Sequence, residues 1–189
     1  MLRDLCGLRG CFRDMTLRDL NALDADAAAR ALQRCCGATR WARRMAAARP
    51  FASADAMTAQ ADAVWRALDR ADWLEAFAAH PKIGESGTTG GAGRAGEADR
   101  ERVWSDEEQR AVAGAVQAIR ARLAQANREY EARFGYIFIV CATGKDAVEI
   151  LDLITRRLTN DPSAELAVAA EEQRKITQLR LAKLLEENR

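Results

Sequence analysis

At 189 residues with a net charge of +1 and a mean hydropathy of −0.31, the chain is long enough to bury a core as one domain or one domain with an extension. Its balanced charge points to neither nucleic acid nor an acidic membrane as partner, and no apolar run reaches the length of a membrane span. The charged start, Met1 to Arg13, is unlike a secretory signal, Glu187-Asn188-Arg189 is not a peroxisomal address, and five cysteines with an adjacent pair read as reduced thiols; the expectation is a cytoplasmic protein.

Abundant Ala, Leu, Arg and Glu with only three prolines favour helix throughout, so the expected fold is all-α: a single-domain bundle of about seven to nine helices, with residues 1–15 as an N-terminal extension. Thr16 to Asn21 forms a first turn. Asp24 then caps a helix that Gly37 closes, Thr39 caps another running toward Arg49-Pro50, and Ser53 opens a third carrying Met57, Ala61, Val64, Trp65 and Leu68. Asp72 to His80 is a short helix, because Pro81 disfavours helical backbone at the residue before it.

Residues 85–97 are rich in Gly, Ser and Thr and read as a loop. Gly91, Gly93 and Gly96 match a dinucleotide fingerprint on spacing, but no strand precedes them and no βαβ unit surrounds them. Cys6, Cys11, Cys35 and Cys36 lack the spacing of a zinc site, and Gly144-Lys145-Asp146 lacks the glycine and hydroxyl of a phosphate loop.

From Ser105 to Phe134 an apolar stripe of Val112, Val116, Ile119, Leu123, Ala126 and Tyr130 marks the longest helix, closed by Gly135. Tyr136 to Ala142 is the one stretch with strand propensity, too short and solitary for a sheet. An extended segment near 136–142, threaded through helices, has main-chain groups available to line a ligand pocket. Helix resumes over Asp146 to Leu158 and again from Ser163 to about Glu187, with Leu166, Ala170, Ile176, Leu179 and Leu184 expected inside.

His80 is the only imidazole, so acid–base chemistry near neutrality passes through it or through carboxylates. Its place near a helix C-terminus favours the protonated ring, and burial favours the neutral one. Ser105-x-x-Glu108-Gln109 reads as a capping box, and a helix N-terminus there also suits an anionic ligand. Arg156 and Arg157 complement a helix C-terminus; either one, turned inward, is a fork for a carboxylate, and periodicity leaves open which.

Taken in order, Leu20-Asn21-Ala22-Leu23, Arg49-Pro50-Phe51, His80-Pro81-Lys82-Ile83-Gly84, Ser105-x-x-Glu108-Gln109, Phe134-Gly135-Tyr136-x-Phe138 and Arg157-Leu158-x-Asn160 resemble the 2-oxo-4-hydroxy-4-carboxy-5-ureidoimidazoline (OHCU) decarboxylase family. The chain departs from the family pattern in its longer Gly-rich loop, in Thr39-Arg40-Trp41 and at Ile137. The resemblance spans about residues 16–185, makes 16–189 the domain, and implies an all-α, cofactor-free enzyme, often a homodimer, that forms (S)-allantoin from its small-molecule substrate in urate degradation. It implies His80 and Glu108 as the catalytic pair, Pro81, Ser105 and Gln109 lining the substrate site, and the main chain from Phe138 through Ile139, Val140, Cys141 and Ala142 holding ring amides and ureido group. Arg157 then assists at the anionic end. The rival readings are a non-catalytic helical interaction protein and a related decarboxylase for another ureido or imidazolone acid.

Overall fold

A computed structural model describes residues 15–82 and 102–186, with side chains described from 15 to 82 and from 116 to 185. The 85–97 loop, with its glycine fingerprint, lies outside the described residues, as do Cys6 and Cys11. Among the described residues the fold is all-helical as expected, with eight helices and no strand. They divide into two compact units: residues up to Ala76 together with those from Arg174, and Phe77–Gln173.

The first unit contains α1 (Leu17–Ala22), α2 (Ala25–Cys36), α3 (Thr39–Ala47), α4 (Ala54–Arg66) and most of α5 (Arg70–Ala78). Local chemistry sets most of these ends. Thr16 forms a capping box with Asp19, Asp24 Oδ1 accepts the Ala27 N–H at 2.7 Å, and Ser53 Oγ accepts that of Ala56 at 3.0 Å. Gly37 stops α2 with φ of 91°, a left-handed conformation that a side chain would strain. Thr39 is not the cap expected of it. It is the first helical residue of α3, and its N–H and hydroxyl donate to the Glu75 carboxylate of α5 at 3.1 and 2.6 Å, so a distant acid satisfies that terminus.

Two of the sequence motifs meet in this unit. Asn21 Nδ2 donates to the Phe51 carbonyl and Asn21 Oδ1 accepts the Phe51 N–H, both at 2.9 Å. Arg49 donates to the carbonyls of Leu20 at 2.6 Å and Leu23 at 2.7 Å, groups that the end of α1 leaves unmatched. Around them Leu20, Leu32, Trp41, Met45 and Met57 are buried, and Trp41 Nε1 donates to the Ala61 carbonyl at 3.1 Å.

The second unit holds the end of α5, α6 (Arg102–Phe134), α7 (Ala147–Arg157) and the first part of α8 (Pro162–Glu186). Gly135, at φ 80°, ends α6. Asp146 caps α7 in a capping box with Glu149; Asp161 Oδ1 accepts the Ser163 N–H at 2.8 Å, with Pro162 in the first turn of α8. The expected stripe of α6 is buried at Leu123, Ala126 and Tyr130, whereas Val116 is exposed. Its backbone starts at Arg102, so Ser105 lies inside the helix and is not its N-cap.

The buried face of α8 also differs from expectation. Leu179 is exposed, and the inward positions are Glu165, Ala169, Ala170 and Gln173 in the second unit and Thr177 and Leu181 in the first. Fully apolar residues did not win that face, because Glu165 finds buried partners that compensate its desolvation.

Candidate active site

The site begins at the end of α5. Phe77 is fully buried and its ring lies 5.3 Å from that of Tyr136. One turn on, the His80 N–H donates to the Phe77 carbonyl at 3.1 Å, which ties the imidazole-bearing residue to that aromatic anchor. His80 is half-buried, and its Nε2 is shielded from solvent. Pro81 follows on the surface, and Lys82 Nζ reaches Glu131 of α6 at 2.7 Å.

The rings of Tyr130, Phe134, Tyr136 and Phe138 continue the cluster, with Tyr130 4.6 Å from Phe134 and edge-on to Phe138 at 5.1 Å. They hold the segment after α6. Tyr136 through Val140 are buried at five successive positions without regular secondary structure. Cys141 is half-buried and Ala142 exposed. A main chain inside a protein needs hydrogen-bond partners, and here side chains supply several. Arg157 Nη1 donates to the Ile139 carbonyl at 2.8 Å, the Cys141 N–H donates to Glu172 Oε2 at 2.8 Å, and Lys145 Nζ donates to the Cys141 carbonyl at 3.0 Å.

Of the two arginines, Arg157 faces inward and Arg156 outward. The fork of Arg157 is already engaged. Its Nε and Nη2 both donate to Glu165 Oε1, at 2.8 and 2.5 Å, and the Tyr130 hydroxyl donates to the same oxygen. Asn160 Nδ2 donates to Glu165 Oε2 at 2.7 Å. The guanidinium stacks over Phe138, 4.5 Å from its centroid. Burial, followed by the bond to Glu165, pushes the Tyr130 hydroxyl well above its usual range, so it stays protonated and donates. Nη2 also donates to the Tyr130 hydroxyl at 3.4 Å, so of the five guanidinium N–H groups one, on Nη1, remains, enough for a single contact to an anion.

Thus His80, the 138–141 main chain and Arg157 are all ordered around one aromatic cluster of the second unit. The side chains of Ser105, Glu108 and Gln109, though borne on α6, lie outside the described residues. Sequence reasoning missed Glu165 and Glu172, and placed Tyr130 only in an apolar stripe. No local signal marks either acid: Glu172 acts on Cys141, 31 residues away, and Glu165 joins Tyr130, 35 residues away, to the nearer Arg157 and Asn160.

A family model described as OHCU decarboxylase matches residues 21–182. The uric acid degradation bifunctional protein TTL of Arabidopsis thaliana is 37% identical over 150 residues, 79% of this chain and 45% of that protein. The chain therefore spans less than half the length of that relative. The 2-oxo-4-hydroxy-4-carboxy-5-ureidoimidazoline decarboxylase of Haloferax volcanii is 28% identical over 170 residues, 89% of this chain and 95% of that protein. A crystal structure of OHCU decarboxylase in the presence of (S)-allantoin is similar with a TM-score of 0.66 at 32% identity, covering 87% of this chain and 99% of that one.

Proposed function

The chain belongs to the OHCU decarboxylase family, and from that premise we propose that it is a carboxy-lyase converting 2-oxo-4-hydroxy-4-carboxy-5-ureidoimidazoline to (S)-allantoin in urate degradation. The observation that carries the reading is a lone imidazole, half-buried with a shielded Nε2, tethered to the same aromatic cluster that holds a buried main-chain segment and an inward arginine. The family match supplies the chemistry that such a group serves.

The carboxylate of this substrate stands on a carbon adjacent to a C=N bond. Electrons released as the C–C bond to CO2 breaks pass into the ring, so the reaction carries its own sink and needs no cofactor. The protein's task is orientation, charge stabilisation and a proton delivered to one face. In this reading His80, with Glu108 as its carboxylate partner, engages the substrate hydroxyl and carboxylate; loss of CO2 leaves an enol, and one of the pair handles the proton added to the ureido-bearing ring carbon as the hydroxyl-bearing carbon becomes the ring carbonyl. Pro81, Ser105 and Gln109 line the site, the main chain from Phe138 to Ala142 takes the ring amides and ureido group, and Arg157 makes a single contact at the anionic end. Residues 16–189 act as the decarboxylase region, with 1–15 an extension, in a cytoplasmic homodimer whose mass light scattering measures.

Circular dichroism on freshly generated substrate tests the reading. Spontaneous decay gives racemic allantoin, so wild-type protein is expected to accelerate the change and leave one enantiomer. His80→Asn is expected to return the racemic outcome at the solvent rate with an unchanged helical spectrum. Wild-type turnover by that variant removes His80 from the mechanism, and no acceleration by the wild type removes the function.

A further inference from the structure

Over residues 138–141 the hydrogen bonds fall on alternate residues, and beyond them the Ala142 carbonyl accepts the Lys145 N–H of the following turn at 3.0 Å. The Ile139 carbonyl is held by Arg157, and the Cys141 N–H and carbonyl are held by Glu172 and Lys145. The main-chain groups of Phe138 and Val140, both buried, make no hydrogen bond to another described residue. In an extended chain the N–H and C=O of one residue point to one edge and those of the next residue to the other. Taken as extended, in line with its strand-prone sequence, the segment has Arg157 of α7, Glu172 of α8 and Lys145 along one edge, and the opposite edge presents N–H beside C=O from Phe138 and Val140. Buried main-chain groups of that kind call for a partner, and a ureide or cyclic amide offers the matching pattern of C=O beside N–H.

We propose that Glu172 is a positioning residue: by accepting the Cys141 N–H it fixes the register in which Phe138 and Val140 present their main-chain groups to the ureide edge of the ligand. Glu172 does so seven residues, about two helical turns, after Glu165. Glu165 acts on the same edge through Arg157 and Ile139. The two acids of α8 thus hold adjacent points of one strip of backbone, the first buried completely and the second half-buried. This inference rests on the functional reading above, and it goes further by assigning the ligand to one edge of the segment and the alignment of that edge to α8.

Initial rates with the full chain and freshly generated substrate separate a positioning role from a merely structural one. Glu172→Gln keeps an oxygen that accepts the Cys141 N–H, and Glu172→Ala removes it. The alanine variant is expected to raise KM about 5- to 10-fold, the scale of one lost hydrogen bond, with kcat changed less than about 3-fold. The glutamine variant is expected to stay within about 2-fold of wild-type KM, because the same bond persists. A wild-type KM in Glu172→Ala, or an equal rise in both variants, overturns the assignment. Should Glu172→Ala fail to fold, Lys145→Met at an exposed position removes the partner of the Cys141 carbonyl; a KM raised about 2- to 5-fold supports the proposal and an unchanged KM overturns it. Wild-type protein that does not accelerate the reaction sinks the functional reading and this inference with it, whereas active wild type with indifferent variants sinks the inference alone.

Discussion

Glu165 has no exposed surface, and its Oε1 takes both the Nε and Nη2 groups of Arg157. Two opposite charges removed from water together are tolerable; either one left alone is not. Tyr130 and Asn160 complete the shell of the carboxylate. Glu165→Ala is therefore expected to cost about 3–5 kcal/mol of folding stability, because it strands the guanidinium beneath Phe138. The double change Glu165→Leu with Arg157→Met is expected to recover at least about half of that loss, since neither charge remains. Urea denaturation of the wild type and the two variants checks it, and a double variant no more stable than the single one contradicts the account.

The Asn21 side chain and the Phe51 main chain form a closed pair of hydrogen bonds between two stretches of the first unit. Both stretches belong to motifs by which the family is recognised, yet their partners are carbonyls and N–H groups of the scaffold. Asn21→Ala is expected to lower stability by about 1–3 kcal/mol while leaving KM unchanged at a temperature where the variant is folded. Thermal melts and steady-state rates measured on the same preparation decide this; a raised KM with no loss of stability contradicts a purely structural role.

Helix ends were legible where one residue settles them. Asp24, Ser53 and Asp146 cap from their own positions, and Gly37 and Gly135 stop helices by conformation. The α3 terminus was not legible, because Glu75 arrives from 36 residues away to serve it. The inner face of α8 was misread for a related reason: periodicity ranks residues by apolarity, and Glu165 is buried by virtue of partners on α6 and α7 that no window of sequence displays. At the site, His80 and the buried run through Val140 could be read from Pro81 and from β-branched and aromatic composition. The choice of Arg157 over Arg156 could not, since adjacent residues on a helix point about 100° apart and the apolar pattern does not resolve which is inward.

Asp161 accepts the Ser163 hydroxyl at 2.6 Å and the Ser163 N–H at 2.8 Å, and these bonds, the hydroxyl first, hold its carboxyl below the ordinary value of 3.8. With the folded value below the unfolded one, the contribution is present above the ordinary value and is lost as pH falls through the lowered one. Ser163→Ala is expected to move the Asp161 titration upward toward 3.8. NMR titration of the carboxyl carbon reads this directly, and an unmoved midpoint assigns the shift to the helix terminus alone.

Cys35 and Cys36 are buried in the first unit, and burial, ahead of every nearby charge, pushes both thiols from 9.0 to about 11. A thiol kept neutral is slow to react, because the thiolate is the nucleophile. In a Cys6→Ser, Cys11→Ser background at pH 8, Ellman's reagent is expected to label the half-buried Cys141 first and the adjacent pair only on unfolding. The linkage sign is the reverse of that at Asp161. An acid whose folded value is raised stabilises below its unfolded value, and that stability is lost as pH climbs from about 9 toward 11, on the order of 2 kcal/mol for each thiol. Denaturation curves from pH 8 to 11 are expected to fall more steeply for the wild type than for Cys35→Ala with Cys36→Ala. Matching slopes place the alkaline loss elsewhere, because the double variant has no thiol at either position left to ionise.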